Sequence, residues 1–376
     1  MWDSSKSTAL QLSSSSLTEL AAELVRIDSV NPDLVPGGAG EGELARFVAE
    51  WLADAGLEVE VEEIAPGRPN VVGCARGTGG GRTLLLNAHM DTVGYEGMEA
   101  PLEPRVENGR LYGRGAYDMK GSLAAIMDAG AEAVRASLRG DVLVAAVVDE
   151  EAYSIGAEAV ARGCRADAAI VAEPTELCLV VAHKGFVWME VETTGRAAHG
   201  SRPDLGKDAI VAMGHVLTGL GSLAEALLAN PSHPLLGSGS VHASVIRGGV
   251  ELSTYPESCV LGLERRTVPG ETIELVEAQI REITGGAEIL TTFAREPFEV
   301  AWDEPVVQAV LRHAGGPEVA GVPGWADSAV FAAAGIPTVV FGPGGEGAHA
   351  QVEWVDLADL ERCKALYIAV ARELCA

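Results

Sequence analysis

Residues 83–91 read TLLLNAHMD, and residues 141–151 read DVLVAAVVDEE. Each segment is a short apolar run that ends in charged or polar side chains. Runs of this kind are typical of strands that are buried on both faces of a parallel sheet. The two segments therefore predict two buried neighbouring strands, each with polar residues at its carboxyl end.

The chain around these two strands alternates between helical and strand patterns. A capping box, Ser16 with Glu19, predicts the start of a first helix. Helices are predicted at 17–26, 41–55, 119–137 and 154–162, and further strands at 57–64, 70–74 and 168–172. This alternation predicts an α/β fold, a mostly parallel sheet with helices on both faces.

The pattern changes between residues 184 and 295. The predicted order there is strand, helix, two strands, helix and strand, which is typical of a compact α+β module. Beyond residue 298 the α/β pattern returns, with helices near 304–314, 326–334 and 356–374 and a strand at 338–341. We therefore expect a discontinuous catalytic domain, residues 1–183 and 296–376, and an inserted lid and dimerisation domain, residues 184–295.

Charge excludes several classes of partner. The 376 residues include 54 Asp and Glu against 27 Lys and Arg, a formal net charge of −27. Nucleic-acid binding needs clustered basic residues, and so does docking on an anionic membrane surface, so neither partner is expected. Hydrophobic residues make up 48%, which is enough for a folded core and argues against disorder.

Three further features bear on the location of the protein. The N-terminal stretch MWDSSKSTALQLSSSS is polar and Ser-rich, so no signal peptide is expected. The six cysteines show no CxxC spacing and are typical of reduced thiols. No run reaches the roughly 18 uninterrupted apolar residues that a membrane span needs. We therefore expect a cytoplasmic protein.

Metal-competent side chains follow the predicted strands, where ligands bind in an open parallel sheet. They are His89, Asp91, Glu150, Glu151 and Glu173 after strands, with Asp118 and His349 in the glycine-rich stretches GRGAYD and GPGGEGAHA. Taken singly, each such residue is more often a packed or solvated side chain. Together, buried acids this close repel one another unless a cation neutralises them. Histidine and carboxylate ligands without cysteine favour Zn²⁺ or Co²⁺ in a hydrolytic site, with room for two ions.

Five ordered motifs resemble those of a known family. They are LLLNAHMDTV, GRGAYDMKG, DEE followed by IGA, VAEPT and GEGAHAQVEWV, joined in the insert by GRAAHGSRPDLGKDAI and ERRTVPGET. The chain resembles, over nearly its whole length, the zinc-dependent family of acetylornithine deacetylase, succinyl-diaminopimelate desuccinylase, glutamate carboxypeptidase and aminoacylase. The resemblance implies that His89 and Glu173 bind one metal ion, that Glu151 and His349 bind the other, and that Asp118 bridges them.

The resemblance also implies how the site works. Asp91 would hydrogen-bond the far ring nitrogen of His89 and fix its tautomer. Glu150 would be the general base on a water molecule shared by the two metals, and a cis peptide bond would follow Asp118. The implied reaction is hydrolysis of the amide bond of an N-acylated amino acid. The alternatives are a dipeptidase or glutamate-carboxypeptidase-like exopeptidase and, with the complete ligand set against it, a non-catalytic metal-dependent binding protein.

In such relatives the insert forms a homodimer and a lid. By resemblance, His199 would reach the partner subunit's site and stabilise the developing oxyanion. Arg266 would bind the free carboxylate of a small substrate, and the backbone N–H of Gly324 would approach the same group. Ser253 would contact the substrate where many relatives have Asn. Arg265, beside Arg266, is expected on the solvated surface, with a second anion contact as the alternative.

Overall fold

The computed structural model describes residues 16–376, which divide into two compact units. The first unit extends to Val181 and includes Val300–Val319 and Val330–Ala376, and the second consists of Ala182–Glu299 and Ala320–Ala329. The short segment 320–329 therefore groups with the second unit, whereas we had expected it in the catalytic domain. The Ser-rich stretch for which no signal peptide was expected lies, except for Ser16, outside the described residues.

The helices and strands follow in chain order. The first are α1 (Leu17–Arg26), α2 (Gly42–Asp54), β1 (Glu58–Ala65), β2 (Arg68–Ala75), β3 (Leu84–His89), β4 (Arg105–Glu107), β5 (Arg110–Tyr112), α3 (Gly121–Ala136) and β6 (Val142–Val147). They continue with α4 (Ile155–Gly163), β7 (Ala168–Val171), β8 (Leu179–His183), β9 (Gly185–Thr194), α5 (Ala209–Ala229), β10 (Ser240–Gly248), β11 (Ser258–Thr267), α6 (Ile273–Thr284) and β12 (Glu288–Arg295). The last are β13 (Phe298–Glu299), α7 (Pro305–His313), β14 (Val319–Val322), α8 (Ser328–Ala333), β15 (Thr338–Val340), β16 (Gly345–Glu346), β17 (Trp354–Asp356) and α9 (Leu357–Leu374).

A mixed sheet organises the first unit, with the strand order β1-β2-β6-β3-β7-β15-β8. The central strands β6, β3, β7 and β15 are parallel to one another, and the outer pairs are antiparallel. All six residues of β3 are buried, as the apolar run predicted. The α/β fold prediction is confirmed, while a small second sheet, β16-β17-β5-β4, was not predicted.

Helices pack on this sheet because contact with it removes their apolar faces from water. The capping box of α1 is confirmed: the Ser16 hydroxyl accepts a hydrogen bond from the Glu19 N–H, and the Glu19 carboxylate accepts one from the Ser16 N–H. Helix α3 packs against α1 and α9 and buries Leu123 and Ile126. Each such side chain contributes about 1.5–3 kcal/mol by leaving water. The ends of the sheet strands are therefore held on a well-packed scaffold.

The second unit is a four-stranded antiparallel sheet in the order β10-β11-β9-β12, with α5 and α6 on one face. Its element order matches the predicted α+β order. Strand β11 shows strict alternation of buried and partly exposed residues, so one face of the sheet packs on the helices and the other does not. Strand β10 lies at the edge of the sheet and is almost entirely exposed.

Helix α5 is apolar and largely exposed. By length and composition alone it could cross a membrane, and only 17% of its most apolar 18-residue stretch is buried. Its exposed apolar side chains include Ile210, Val211 and Leu228. One helix of this kind is weak evidence for a membrane span, and its apolar surface is equally suited to contact with another protein.

Candidate metal centre

Three sheet strands deliver polar residues to one edge of the first unit. His89 is the last residue of β3, Glu150 and Glu151 follow β6, and Glu173 follows β7. Because β3 pairs in parallel with both β6 and β7, the carboxyl ends of the three strands lie at the same edge. The predicted residues that come from different parts of the sequence are thus brought together by strand pairing.

Asp118 lies between two imidazoles. It lies in the short segment Ala116–Lys120, where its own backbone is not helical (φ −119°, ψ 91°), and the Asp118–Met119 peptide bond is cis, as expected. Its Oδ1 is 3.1 Å from Nε2 of His89, and its Oδ2 is 3.4 Å from Nε2 of His349. One carboxylate therefore faces a different histidine with each oxygen, which is the arrangement a bridging ligand needs.

The other carboxylates complete the cluster around these two rings. Glu151 Oε2 is 3.0 Å from Nε2 of His349, and Glu173 Oε1 is 3.8 Å from Nε2 of His89. Ligand atoms of His89, Asp118 and Glu151 lie within 4.8 Å of one another, and so do those of His89, Glu150 and Glu173. All six residues predicted as metal ligands or general base thus converge in the first unit.

Asp91 is buried beside the cluster, but its contacts differ from the prediction. Nδ1 of His89 lies 2.9 Å from the backbone carbonyl oxygen of Asp91 and 3.6 Å from the nearer carboxylate oxygen. A carbonyl can only accept, so it is this group that fixes the neutral ring as the Nδ1–H tautomer and leaves Nε2 for a metal. The Asp91 carboxylate instead accepts the backbone N–H groups of Glu150 and Glu151, each at 3.1 Å.

The charges of this cluster favour a bound cation. Hydrogen bonds to Asp118 and Glu151 raise the pKa of His349 to about 10. Burial acts to raise the pKa of Asp118, but hydrogen bonds from His349 and His89 outweigh it and lower that pKa below its usual range. Protons on the imidazoles thus partly balance the negative charge of the carboxylates. A divalent ion would replace these protons and balance the same charge.

The donor set fits such an ion. Glu151 Oε1 is buried and has no hydrogen-bond donor among residues 16–376, which is the state of an oxygen that binds a cation. The neighbouring donors are imidazole nitrogens and carboxylate oxygens, and the six cysteines are free. Nitrogen and oxygen ligands without sulfur favour a catalytic divalent metal over a structural thiolate site.

The remaining predicted residues lie in the second unit. His199 is exposed, with Nδ1 2.8 Å from the Ser201 hydroxyl, and it forms an isolated β-bridge with Thr254. The N–H of Gly200 donates to the carbonyl of Ser253, so the structure brings His199 and Ser253 together on neighbouring loops. Both residues are thus on a surface that a ligand can reach.

Arg266 and Arg265 have opposite environments. Nε of Arg266 donates to Glu264 at 2.5 Å, and the guanidinium carbon lies 5.2 Å from the ring centroid of Phe186, on the sheet face that the helices leave open. The expectation of a solvated Arg265 is wrong, because its side chain is fully buried and pairs with Glu271. Alternation along β11 sends the two arginines to opposite faces of the sheet.

Gly324 follows β14 and is exposed. Its backbone has room for a side chain, because a Cβ there would meet no atom within 4 Å. Among the described residues, it makes no hydrogen bond to Arg266 or His199. The structure therefore places Gly324 in the second unit without joining it to the other predicted substrate contacts.

Sequence reasoning missed the buried ion pair of Glu353 with Arg114. The Glu353 carboxylate accepts from the backbone N–H of Asp118 at 3.0 Å and from Arg114 at 2.5 Å. Arg114 also donates to the carbonyl of Ala350, which follows His349. Both residues lie inside quoted motifs, GRGAYD and QVEWV, so their positions were visible but their pairing across the fold was not.

The sequence is similar to those of known proteins over most of its length. The sequence profile of Peptidase family M20/M25/M40 matches residues 85–373. The acetylornithine deacetylase of Myxococcus xanthus is 32% identical over 383 residues, covering 96% of this chain and 96% of its own. The acetylornithine deacetylase of Proteus mirabilis is 29% identical over 377 residues, covering 95% of this chain and 96% of its own.

Solved structures share the fold. The aminopeptidase PepT from Bacillus cereus superposes with a TM-score of 0.77 at 21% identity, covering 96% of this chain and 98% of its own. A Bacillus subtilis protein described as a dinuclear metal-binding peptidase of family M20 superposes with a TM-score of 0.71 at 17% identity, covering 96% of this chain and 97% of its own. At these identities the similarity establishes the fold alone.

Proposed function

The chain belongs to peptidase family M20/M25/M40 and is a metal-dependent deacylase or peptidase, and within this class we propose that it hydrolyses the amide bond of N-acylated amino acids. The observation that carries the proposal is Asp118, whose two oxygens face the imidazoles of His89 and His349. The acetylornithine deacetylases at 29% and 32% identity favour a deacylase over an exopeptidase.

We propose two divalent ions, most simply Zn²⁺, with Co²⁺ as an alternative. His89 and Glu173 would hold one, Glu151 and His349 the other, and Asp118 would bind both. When bound, the ions would polarise the amide carbonyl and acidify the attacking water. The ligand set supports this reading because it contains only imidazole nitrogens and carboxylate oxygens.

Glu150 is the proposed general base. It would accept a proton from the water that attacks the amide carbon, and return it to the leaving amine nitrogen when the carbon–nitrogen bond breaks. Its carboxylate lies within 4.8 Å of ligand atoms of the His89 imidazole and the Glu173 carboxylate, and its backbone N–H donates to Asp91. The backbone that carries this carboxylate is therefore held in place, so proton transfer would need no rearrangement of the turn.

The second unit would supply the substrate contacts. We propose that Arg266 binds the free carboxylate of the substrate, with Glu264 fixing the plane of its guanidinium group. His199 would stabilise the developing oxyanion. Ser253 and the N–H of Gly324 would add hydrogen bonds to the substrate. The exposure of His199, Ser253 and Gly324 supports these roles.

We further propose that the second unit mediates a homodimer. The edge strand β10 leaves its backbone groups unpaired on one side, and Val245 and Ile246 are exposed on it. Helix α5 adds the exposed apolar side chains of Val211 and Leu228. A second copy of the same surface would cover both features.

The general base is tested by Glu150→Gln, with Glu158→Gln on the exposed face of α4 as a matched control. We expect kcat to fall about 10²–10⁴-fold in the first variant, with unchanged metal content, because only proton transfer is lost. The control should match the wild type. Near-normal turnover by Glu150→Gln protein would contradict the assignment.

The substrate class is tested with metal-replete wild-type protein on N-acetyl, N-succinyl and N-carbamoyl amino acids and on dipeptides. We expect the highest kcat/KM on an N-acyl amino acid such as N-acetylornithine. Preference for dipeptides would identify an exopeptidase instead. Cleavage of none of them would contradict the proposed deacylase.

A further inference from the structure

One buried arginine lies behind the metal-binding edge. The side chain of Arg68 is 7% exposed and donates to three carboxylates. It binds Glu41 through Nε at 2.8 Å and Nη2 at 2.6 Å, Asp33 through Nη1 at 2.5 Å, and Asp149 through Nη2 at 2.9 Å. A buried charge of this kind persists only where its partners are fixed around it.

Strand register explains how Arg68 meets Asp149. Strand β2 pairs with β6 in the antiparallel sense, and Val71 lies opposite Ala146. Continuing the same register by three residues places Arg68, the first residue of β2, opposite Asp149, two residues past β6. The pairing of the two strands therefore brings the start of β2 close to the turn that follows β6.

Asp149 has an unusual backbone that its neighbours hold in place. Its φ is +70°, in the left-handed region that side chains other than glycine rarely adopt. Its Oδ1 accepts from Arg68 and from Nδ2 of Asn31 at 3.0 Å, and its backbone N–H donates to Glu41 at 3.2 Å. Its carbonyl accepts from the N–H of Tyr153 at 3.1 Å. Hydrogen bonds thus hold both the side chain and the backbone of Asp149 in place.

The next two residues are the proposed base and a proposed metal ligand. The N–H groups of Glu150 and Glu151 donate to the two oxygens of Asp91, and Nδ2 of Asn31 donates to Asp91 at 2.7 Å. Asn31 therefore ties Asp149 to Asp91 with a single amide group. A shift of Asp149 would move the backbone on which both glutamates stand.

We propose that Arg68 is a positioning residue, which anchors left-handed Asp149 and, through Asp149 and Asn31, sets the orientation of Glu150 and Glu151 for metal binding and proton transfer. The inference rests on the proposed function, because it takes the two glutamates as base and ligand. Arg68 donates to Glu41, Asp33 and Asp149, and through Asp149 it acts on the backbone of the turn.

The opposite end of the same strand offers a matched control. Arg76 directly follows β2 and also pairs with two carboxylates, Glu58 and Asp141, each at 2.7 Å. Its side chain is 59% exposed and lies at the end of the β2–β6 pair remote from the metal ligands. Arg68 and Arg76 thus lie at the two ends of the same strand and each pairs with carboxylates from other segments, but only Arg68 is linked to the site.

The experiment compares Arg68→Met, Arg68→Lys, Asp149→Gly and Arg76→Met. Folding is checked by circular dichroism and thermal melting. Zn²⁺ affinity is measured by competition with a chromophoric chelator, and the visible absorption of Co²⁺-loaded protein reports ligand geometry. We expect 10–100-fold weaker metal binding, an altered Co²⁺ spectrum and a lower kcat with little change in KM for Arg68→Met and Asp149→Gly. Arg68→Lys should recover part of the loss, and Arg76→Met should match the wild type.

Glycine at position 149 separates strain from anchoring. It adopts a positive φ freely, so Asp149→Gly keeps the backbone but loses the contacts to Arg68 and Asn31. Wild-type Zn²⁺ affinity, Co²⁺ spectrum and kcat in both Asp149→Gly and Arg68→Met proteins would overturn the proposal, even with a lower melting temperature. If Arg68→Met does not fold, the same readouts on Asp149→Gly decide. These metal readouts need no substrate, so a wild-type protein that binds metal but cleaves no amide would refute the proposed function alone.

Discussion

The metal cluster of the first unit and the substrate contacts of the second are built in different ways. His89 and Asp91 are at most 1% exposed, and their ring and carboxylate are held by backbone groups of neighbouring segments. His199, Ser253 and Gly324 are exposed on loops and pair only with residues close by in the sequence or on the adjoining loop, where they pair at all.

This difference indicates two different tasks. Buried polar groups are stable only with fixed partners, so the first unit presents a formed site for a cation. Exposed loop residues are free to engage a molecule that arrives from solution. Substitutions of the proposed metal ligands in the first unit should therefore abolish metal binding, whereas those of the substrate contacts in the second should leave the metal in place and change how substrate is bound.

The largest effect should come from Asp118→Asn. The amide keeps the shape but loses the charge and an oxygen that faces an imidazole, so we expect loss of bound metal and at least about a 10³-fold fall in kcat/KM. Metal analysis and steady-state kinetics measure both. Asp128→Asn, which breaks the ion pair of α3 with Lys364, is the control and should keep its metal. Two bound ions and normal activity in Asp118→Asn protein would contradict the assignment of metal binding to this cluster of the first unit.

A smaller effect, confined to substrate binding, is expected for Arg266→Lys. Lysine cannot offer two parallel N–H donors to a carboxylate, and the lost charge-assisted hydrogen bond is worth about 1.5–3 kcal/mol. KM should rise about 10–100-fold with metal content unchanged. The control is Arg281→Lys on the exposed face of α6. Loss of metal, or an unchanged KM, would show that the two units do not divide the work in this way.

Mixing two inactive proteins tests whether the second unit acts across a dimer. Subunit exchange between His199→Ala and Glu150→Gln proteins should restore about a quarter of wild-type activity. Half of the dimers are then mixed, and each mixed dimer holds one intact site. Light scattering confirms the dimer, and fluorescent labels confirm exchange. No recovery after proven exchange would place the action of His199 within its own subunit.

The smallest effect concerns stability, not catalysis. Burial lowers the pKa of His183 in the second unit to about 4, while its ring contacts the Ser328 hydroxyl at 2.8 Å. Above about pH 6.5 the ring is neutral in both the folded and the unfolded protein. Between pH 6.5 and 4 the unfolded protein binds a proton that the folded protein does not, so the free energy of unfolding falls by up to about 3 kcal/mol.

Urea unfolding at several pH values measures this loss. His183→Gln should reduce the pH dependence in that window, while the exposed His215→Gln control should not. An identical pH dependence in His183→Gln and wild-type protein would refute the assignment to this residue.

Much of the site was visible in the sequence because its residues directly follow apolar strands. His89, Glu150 and Glu173 could be found by locating the strand and examining its carboxyl end. The order of elements in the insert followed from the same periodicity. These predictions depend on local patterns, and local patterns are what one sequence displays.

The partners behind the site could not be predicted in this way. Arg68 meets Asp149, 81 residues away, only because β2 and β6 are antiparallel neighbours. For Asp91, the carboxylate was expected to face Nδ1 of His89, but the backbone carbonyl oxygen does so. Which oxygen faces the ring depends on tertiary geometry. Arg265 was expected in solvent because charge suggests exposure, yet strand alternation turns it inward to Glu271. Each case depends on a long-range pairing or a burial that composition does not encode.

Metal reconstitution tests the central claim most directly. The protein is stripped with a chelator, and hydrolysis of an N-acetyl amino acid is followed as Zn²⁺ or Co²⁺ is added in known equivalents. We predict negligible activity in the stripped protein and a rise to a plateau at two equivalents per chain. Full activity after complete removal of metal, or a wild-type protein that binds no divalent ion, would contradict the account.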